Sequence, residues 1–158
     1  MIEVTAEALA AHPFLRGMQS RHLDALAVGA SDVMFPAGHR IFEDGGYASR
    51  FWLIRSGHVA LDLNVPGEGP MVIEDIGMGA LLGCSWQFPP YRWAFGAMTV
   101  SPCEAFEFDA PAVRACCAAD PVLGYELTQR LAQALAGRLQ ATRMRLLARP
   151  GRPASLYS

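Results

Sequence analysis

Asp32-Val33-Met34-Phe35-Pro36-Ala37-Gly38-His39-Arg40-Ile41-Phe42-Glu43-Asp44-Gly45-Gly46, followed by Phe51-Trp52-Leu53-Ile54-Arg55-Ser56-Gly57, sets the fold class of this chain. Each apolar run is too short for a helix and stops at a turn residue or glycine. The same rhythm continues downstream. His58-Val59-Ala60-Leu61-Asp62-Leu63 alternates, Pro66-Gly67-Glu68-Gly69 closes a turn, and Met71-Val72-Ile73 precedes Gly77 and Gly79. Trp93–Val100 and Cys103–Phe108 complete the series. Short strands at this spacing, divided by turn residues, predict an antiparallel sandwich or jelly-roll barrel over about residues 32–108.

The flanks are helical. Residues 3–11 read as a short helix with Thr5 at its cap. Residues 19–28 carry Leu23, Leu26 and Ala27 as an apolar stripe after Ser20. His12-Pro13-Phe14-Leu15 breaks the helix between them. After the strands, Asp109-Ala110-Pro111 and Asp120-Pro121 are two helix starts. From the second, Leu123, Leu127, Leu131, Leu135, Leu139 and Leu146 run to about Leu147. Their four-residue steps drift around a straight helix, so they form no single coiled-coil seam. Such a stripe must bury itself on the barrel, on another subunit, or on both. Arg149-Pro150-Gly151-Arg152-Pro153 ends the helix. The expected organisation is one domain over residues 1–150, with helices over about 109–148 and a flexible tail at 151–158.

Composition narrows the class. A chain of 158 residues, 52% hydrophobic and 18% charged, holds one domain with a real core and is not a disordered protein. Charges or prolines interrupt every apolar run before it could span a bilayer. Met1-Ile2-Glu3-Val4-Thr5-Ala6-Glu7 lacks the basic-then-apolar order of a signal peptide, so a cytoplasmic location is expected. The four cysteines, at 84, 103, 116 and 117, form no CxxC pair and are expected as buried free thiols. Every basic side chain is arginine. Residues 1–120 carry 14 acids against 7 arginines, whereas residues 121–158 carry Glu126 against six arginines. The basic end is read in two ways: a contact surface for something acidic, or a solvated helix face leaning on the acidic barrel of its own or a partner subunit.

Helices, a glycine-punctuated jelly roll and two further helices are the order found in cyclic-nucleotide-binding domains, and local motifs agree. His12-Pro13-Phe14-Leu15 with Leu23 and Leu26 resembles that family's opening segment. Phe35-Pro36-Ala37-Gly38, Ile41-Phe42-Glu43-Asp44-Gly45 and Phe51-Trp52-Leu53-Ile54-Arg55-Ser56-Gly57 resemble its first signature. The likeness runs from about residue 12 to 147. It implies a mainly β fold with short N-terminal helices and a long C-terminal helix.

The resemblance also implies a phosphate cassette in Gly83-Cys84-Ser85-Trp86-Gln87-Phe88-Pro89-Pro90-Tyr91-Arg92-Trp93-Ala94. In the family, a glycine opens a short helix whose backbone N–H groups receive the cyclic phosphate. A glutamate after that glycine accepts the ribose hydroxyl, and an arginine beginning the next strand pairs with the phosphate. Gly79 and Gly83 stand in the expected places. Cys84 holds the glutamate position, and a thiol is a weak donor and a weak acceptor. Arg92-Trp93-Ala94 resembles the family's Arg-Ser/Thr-Ala, but Arg92 comes early and Trp93 replaces a small residue. In a strand, an offset of one residue turns a side chain to the other face.

The ligand-binding residues so expected are Gly83, Cys84 and Ser85 through backbone N–H groups, with the Ser85 hydroxyl as an added donor. Arg92 is the expected charge partner, and Trp86, Tyr91 and Trp93 are the stacking surfaces. Against this, the glycines would only permit turns, the aromatics would be core, and Arg92 would pair with Asp75 or Glu74. The possible ligand is a cyclic nucleotide (cyclic AMP or cyclic GMP) or another small anion.

No enzymatic activity is expected, because no nucleophile–base constellation stands out. No metal site is expected either. His12, His22, His39 and His58 form no His-x-His pair, and His39 and His58 are expected as exposed turn residues. No helix-turn-helix follows the long helix, so direct sequence-specific DNA binding is not expected, nor is a membrane partner. Two functions remain: a small-molecule-sensing regulatory module signalling through its C-terminal helix, or a ligand-free interaction and dimerisation module. In both, the expected partner is a second copy of the chain, joined through residues 121–147.

Overall fold

The computed structural model describes residues 3–148. The expected helix end at Arg149–Pro153 and the tail at 151–158 lie outside the described residues. Among the described residues eight strands form, all pairing antiparallel: β1 (Ala30–Phe35), β2 (Arg40–Phe42), β3 (Arg50–Ser56), β4 (Val59–Val65), β5 (Gly69–Ile76), β6 (Leu81–Leu82), β7 (Gly96–Thr99) and β8 (Cys103–Asp109). One sheet runs β1-β8-β3-β6 and the other β2-β7-β4-β5. Apart from the β4–β5 hairpin, the chain changes sheet at every turn up to β8, which is jelly-roll order. The expected barrel is therefore two facing four-stranded sheets with open edges, not a closed ring of hydrogen bonds.

β3 explains its own sequence. Phe51, Trp52, Leu53 and Ile54 are all buried, so the run reads as continuous apolar residues instead of alternating ones. Trp52 points between the sheets, where it stacks with Phe42 of β2 at 5.7 Å between ring centroids. On the opposite face, Phe51 stacks on Phe108 at 4.8 Å and on Trp86 at 4.4 Å. The strand expected over Trp93–Val100 starts only at Gly96. Pro89 and Pro90 offer no N–H to a ladder, and Tyr91 turns through a left-handed φ of 58°. A single bridge between Tyr47 and Arg92 pins this segment to the sandwich.

The helices frame the sheets. α1 (Ala6–Ala10) is capped by Thr5, whose hydroxyl accepts from the Ala8 N–H at 3.1 Å. A 3-10 turn at Pro13–Leu15 leads to α2 (Ser20–Val28). α3 (Ala110–Ala119) starts under an Asp109 cap that accepts from the Ala112 N–H at 3.0 Å. α4 (Pro121–Ala148) follows Asp120 and is 28 residues long, about 42 Å at 1.5 Å per residue. Leu123, Leu127 and Leu131 are buried on the domain, each burial contributing about 1.5–3 kcal/mol. Leu135 is partly buried, while Leu139, Met144, Leu146 and Leu147 are roughly half exposed. The first half of the leucine stripe thus packs within the chain and the second half stands clear. No described helix is long and apolar enough to cross a membrane.

All four cysteines are free. Only Cys103 is fully buried; Cys84, Cys116 and Cys117 are half-buried, which corrects the expectation for those three.

Candidate functional site

Gly83, Cys84 and Ser85 come together where β6 ends and a 3-10 turn (Ser85–Gln87) begins. Gly83 is buried, with φ at 92°. Among the described residues, no backbone acceptor takes the N–H groups of Gly83, Cys84 or Ser85. Burial pushes the Cys84 thiol pKa up, and the nearby Arg138 guanidinium offsets this only in part. Cys84 therefore stays a neutral thiol and supplies no carboxylate-like acceptor.

Trp93 decides the character of the interior beside this turn. Its indole lies between the sheets, 4% exposed, stacked on Phe42 at 3.9 Å between centroids. A Cβ added to Gly83 would meet the Trp93 ring at 2.8 Å, so the indole rests directly on the glycine backbone. Phe42, Trp52, Phe95 and Trp93 form one aromatic cluster there. Arg92, one residue earlier, is exposed and stands 5.7 Å over the Tyr47 ring. The offset noticed in the sequence thus turns the tryptophan inward and the arginine outward.

Three of the expected site residues lie outside the cradle. Arg92 does not face the space beside Gly83, and among the described residues it makes no ion pair with Glu74 or Asp75. Trp93 is an interior filler whose ring faces are already covered. Trp86, 2% exposed, lies under Phe51 and offers no open face to a ligand. Tyr91 is half-buried with the Arg114 guanidinium 4.3 Å over its ring. Gly83, Cys84 and Ser85 remain as the only expected site residues that share one local cradle.

Sequence reasoning missed the side chains that tie this turn to the C-terminal helices. Arg114 of α3 donates to the Trp86 carbonyl at 2.5 Å. The Gln87 amide donates to the Thr128 hydroxyl of α4 at 3.2 Å. Arg138 of α4 donates to the Leu81 carbonyl. A helical signal for Arg138 was available: it follows Leu131 by two turns and so shares the buried stripe. The basic helix face is thus partly absorbed by backbone carbonyls of its own domain.

His12 and His22 were also missed. His12 is buried; its Nε2 donates to the Ile54 carbonyl at 2.8 Å, and its Nδ1 accepts from the Phe14 N–H at 3.1 Å. That pairing needs the neutral imidazole, and burial holds its pKa below the ordinary histidine range. His22 is 1% exposed and lies 2.9 Å from Glu126 and 3.4 Å from Asp120. Burial raises the Glu126 carboxyl pKa, but hydrogen bonds from His22 and Arg130 more than offset it and hold the group below its usual range. His39 and His58 are exposed, as expected.

Residues 32–120 match the profile of the family described as Cyclic nucleotide-binding domain. The chain belongs to that family. A curated relative, the CRP-like cAMP-activated global transcriptional regulator of Mycobacterium tuberculosis, is 28% identical over 136 residues, 86% of this chain and 59% of the relative. The chain therefore spans about three-fifths of that protein's length. A solved cyclic nucleotide-binding domain from Methylobacillus flagellatus superposes with a TM-score of 0.75 at 20% identity, over 87% of this chain and 77% of that one. The catabolite activator protein of Thermus thermophilus gives 0.66 at 24% identity, over 85% and 61%. These structures share the fold of the cyclic nucleotide-binding family. The curated relative is, by its description, a transcriptional regulator.

Proposed function

We propose that this domain is a regulatory module of the cyclic-nucleotide-binding type whose output is the seating of α4, and that it has lost the phosphate clamp for cyclic AMP and cyclic GMP. The observation that carries this reading is the inward Trp93 on Gly83 with Arg92 turned out. A cyclic phosphate placed at the Gly83–Ser85 amides would meet an indole where a guanidinium is required. Cys84 adds no ribose acceptor.

The output side is built into the same segment. Arg138, Thr128 and Arg114 hold Leu81, Gln87 and Trp86 from α4 and α3. Any change in the cassette's packing must shift the population of α4 positions by its energetic preference. The bare second half of the stripe, at Leu139, Leu146 and Leu147, supports a second copy of the chain as the partner. The module then acts through protein contacts, with no catalysis of its own.

One observation favours a second reading. The N–H groups of Gly83, Cys84 and Ser85, which meet no backbone acceptor among the described residues, could still receive a small anion if Trp93 withdrew. Isothermal calorimetry with cyclic AMP and cyclic GMP separates the two. We expect no saturable heat at millimolar nucleotide. Micromolar binding of either would restore the sensing role and overturn the proposal.

A further inference from the structure

A cavity lies away from the cassette, between the N-terminal segment and the β1-β8-β3-β6 sheet. Its volume is about 330 Å³, in the range of small-molecule sites. Ile54 of β3 and Phe106 of β8, both buried, line the sheet side, and Ala8 of α1 lies opposite. Met78 belongs to the lining although it is 79% exposed. An unbranched thioether in that position adapts to whatever fills the space beside it.

The charge in the lining is one-sided. Arg16 and Arg55 contribute guanidinium groups and no carboxylate lines the cavity. Arg55 lies 4.6 Å over the Phe106 ring and donates through Nη1 to Asp32 at 3.1 Å. Its Nε and Nη2 have no partner among the described residues, and neither does the exposed Arg16 guanidinium. His12, also in the lining, adds no charge, because its two ring nitrogens are committed in the neutral form. Two arginines over an apolar floor fit a carboxylate with an apolar body, since the guanidinium fork matches both carboxylate oxygens.

We propose that this cavity binds a small aromatic or short-chain carboxylate through Arg16 and Arg55, and that occupancy is felt by α4. The connection is direct. Arg130 of α4 donates to the carbonyls of Phe14 at 2.8 Å and Arg16 at 2.9 Å, so it grips the turn that bounds the cavity. A ligand that orders Arg16 strengthens that grip, and the effect on α4 equals the ligand's preference for the gripped state. This site is independent of the fate of the nucleotide cassette.

The test is a ¹H–¹⁵N NMR titration of the full chain with benzoate and with hexanoate, using methyl benzoate as the neutral control. Saturable shifts are expected at Ala8, Met78, Gly79 and Arg130, with none for the ester. Arg16→Gln removes a solvent-facing cation with no ion partner, so it leaves the fold intact; it is expected to weaken binding about tenfold, near 1.4 kcal/mol. Ala8→Phe, which fills the cavity, is expected to abolish it. The proposal is overturned if neither acid gives saturable shifts, if the ester binds as well as benzoate, if Arg16→Gln binds unchanged, or if the shifts cluster at residues 83–85 instead.

Discussion

Trp93 and Gly83 are best understood as one unit, a side chain and the gap in the backbone that admits it. If the indole is core, Trp93→Ala leaves a cavity and should cost about 3–5 kcal/mol by urea denaturation. A binding-site aromatic at an open pocket would cost far less, and a loss under 1 kcal/mol would return Trp93 to the ligand. Gly83→Ala should also destabilise, by roughly 2–4 kcal/mol, since the new methyl meets the indole at 2.8 Å and the backbone sits at φ 92°. Gly96 is a second steric gap: a Cβ there would meet Asp62 Oδ1 at 2.6 Å and Arg40 Nη1 at 2.7 Å, which are themselves an ion pair at 2.9 Å. Sequence alone located Gly83 and its neighbours but not the direction of Arg92 and Trp93. A strand places alternate residues on opposite faces only where it exists, and the proline pair delays β7 to Gly96.

At the level of elements, α4 is held to the rest of the domain at two places, the cassette through Arg138 and Thr128 and the N-terminal segment through Arg130 and Glu126. Arg138→Ala frees the Leu81 carbonyl from α4, and amide exchange at Leu82–Ser85 should then accelerate while the strand β3 core stays protected. Unchanged exchange would mean that the cassette and helix are not coupled. The N-terminal turn carries the other contact, through Arg130, and is itself held to β3 by neutral His12. The sign of the pH effect follows from that neutrality. The unfolded chain takes up a proton on His12 below about pH 6.5 and the folded chain does not, so stability should fall as pH drops through that range. Glu126, with its depressed pKa, adds a further loss only at lower pH, as the carboxylates titrate. Urea midpoints between pH 5 and 7.5 would show the first loss, and His12→Gln should remove it. The paired helix starts and the glycine-divided strands were legible because caps and turns are local. His12 and His22 were not, because their partners lie 42 and 104 residues away.

On the scale of the whole molecule, α4 leaves the sandwich half-dressed. Its first leucines cover the domain, and its distal Leu139, Met144, Leu146 and Leu147 face solvent among Arg143 and Arg145 with no acid between residues 127 and 148. A second copy that covers this stripe is the partner we expect. Sedimentation equilibrium should report a dimer, and Leu139→Glu with Leu146→Glu should return the monomer without loss of the folded core. A wild-type monomer at high micromolar concentration would leave α4 to a different partner. The jelly-roll order and the long final helix were readable from spacing and from family likeness. Whether the stripe closes on its own domain was not, since leucines at four-residue steps carry no mark of which surface they meet.

The most direct test is whether Trp93 rests on Gly83 in solution, with and without nucleotide. A ¹³C-edited NOE between the Trp93 Hη2 or Hζ3 protons and the Gly83 Hα protons reads that contact alone. A strong NOE that persists unchanged at millimolar cyclic AMP is expected. Its absence, or its loss on adding cyclic AMP, would contradict a pocket filled by its own indole.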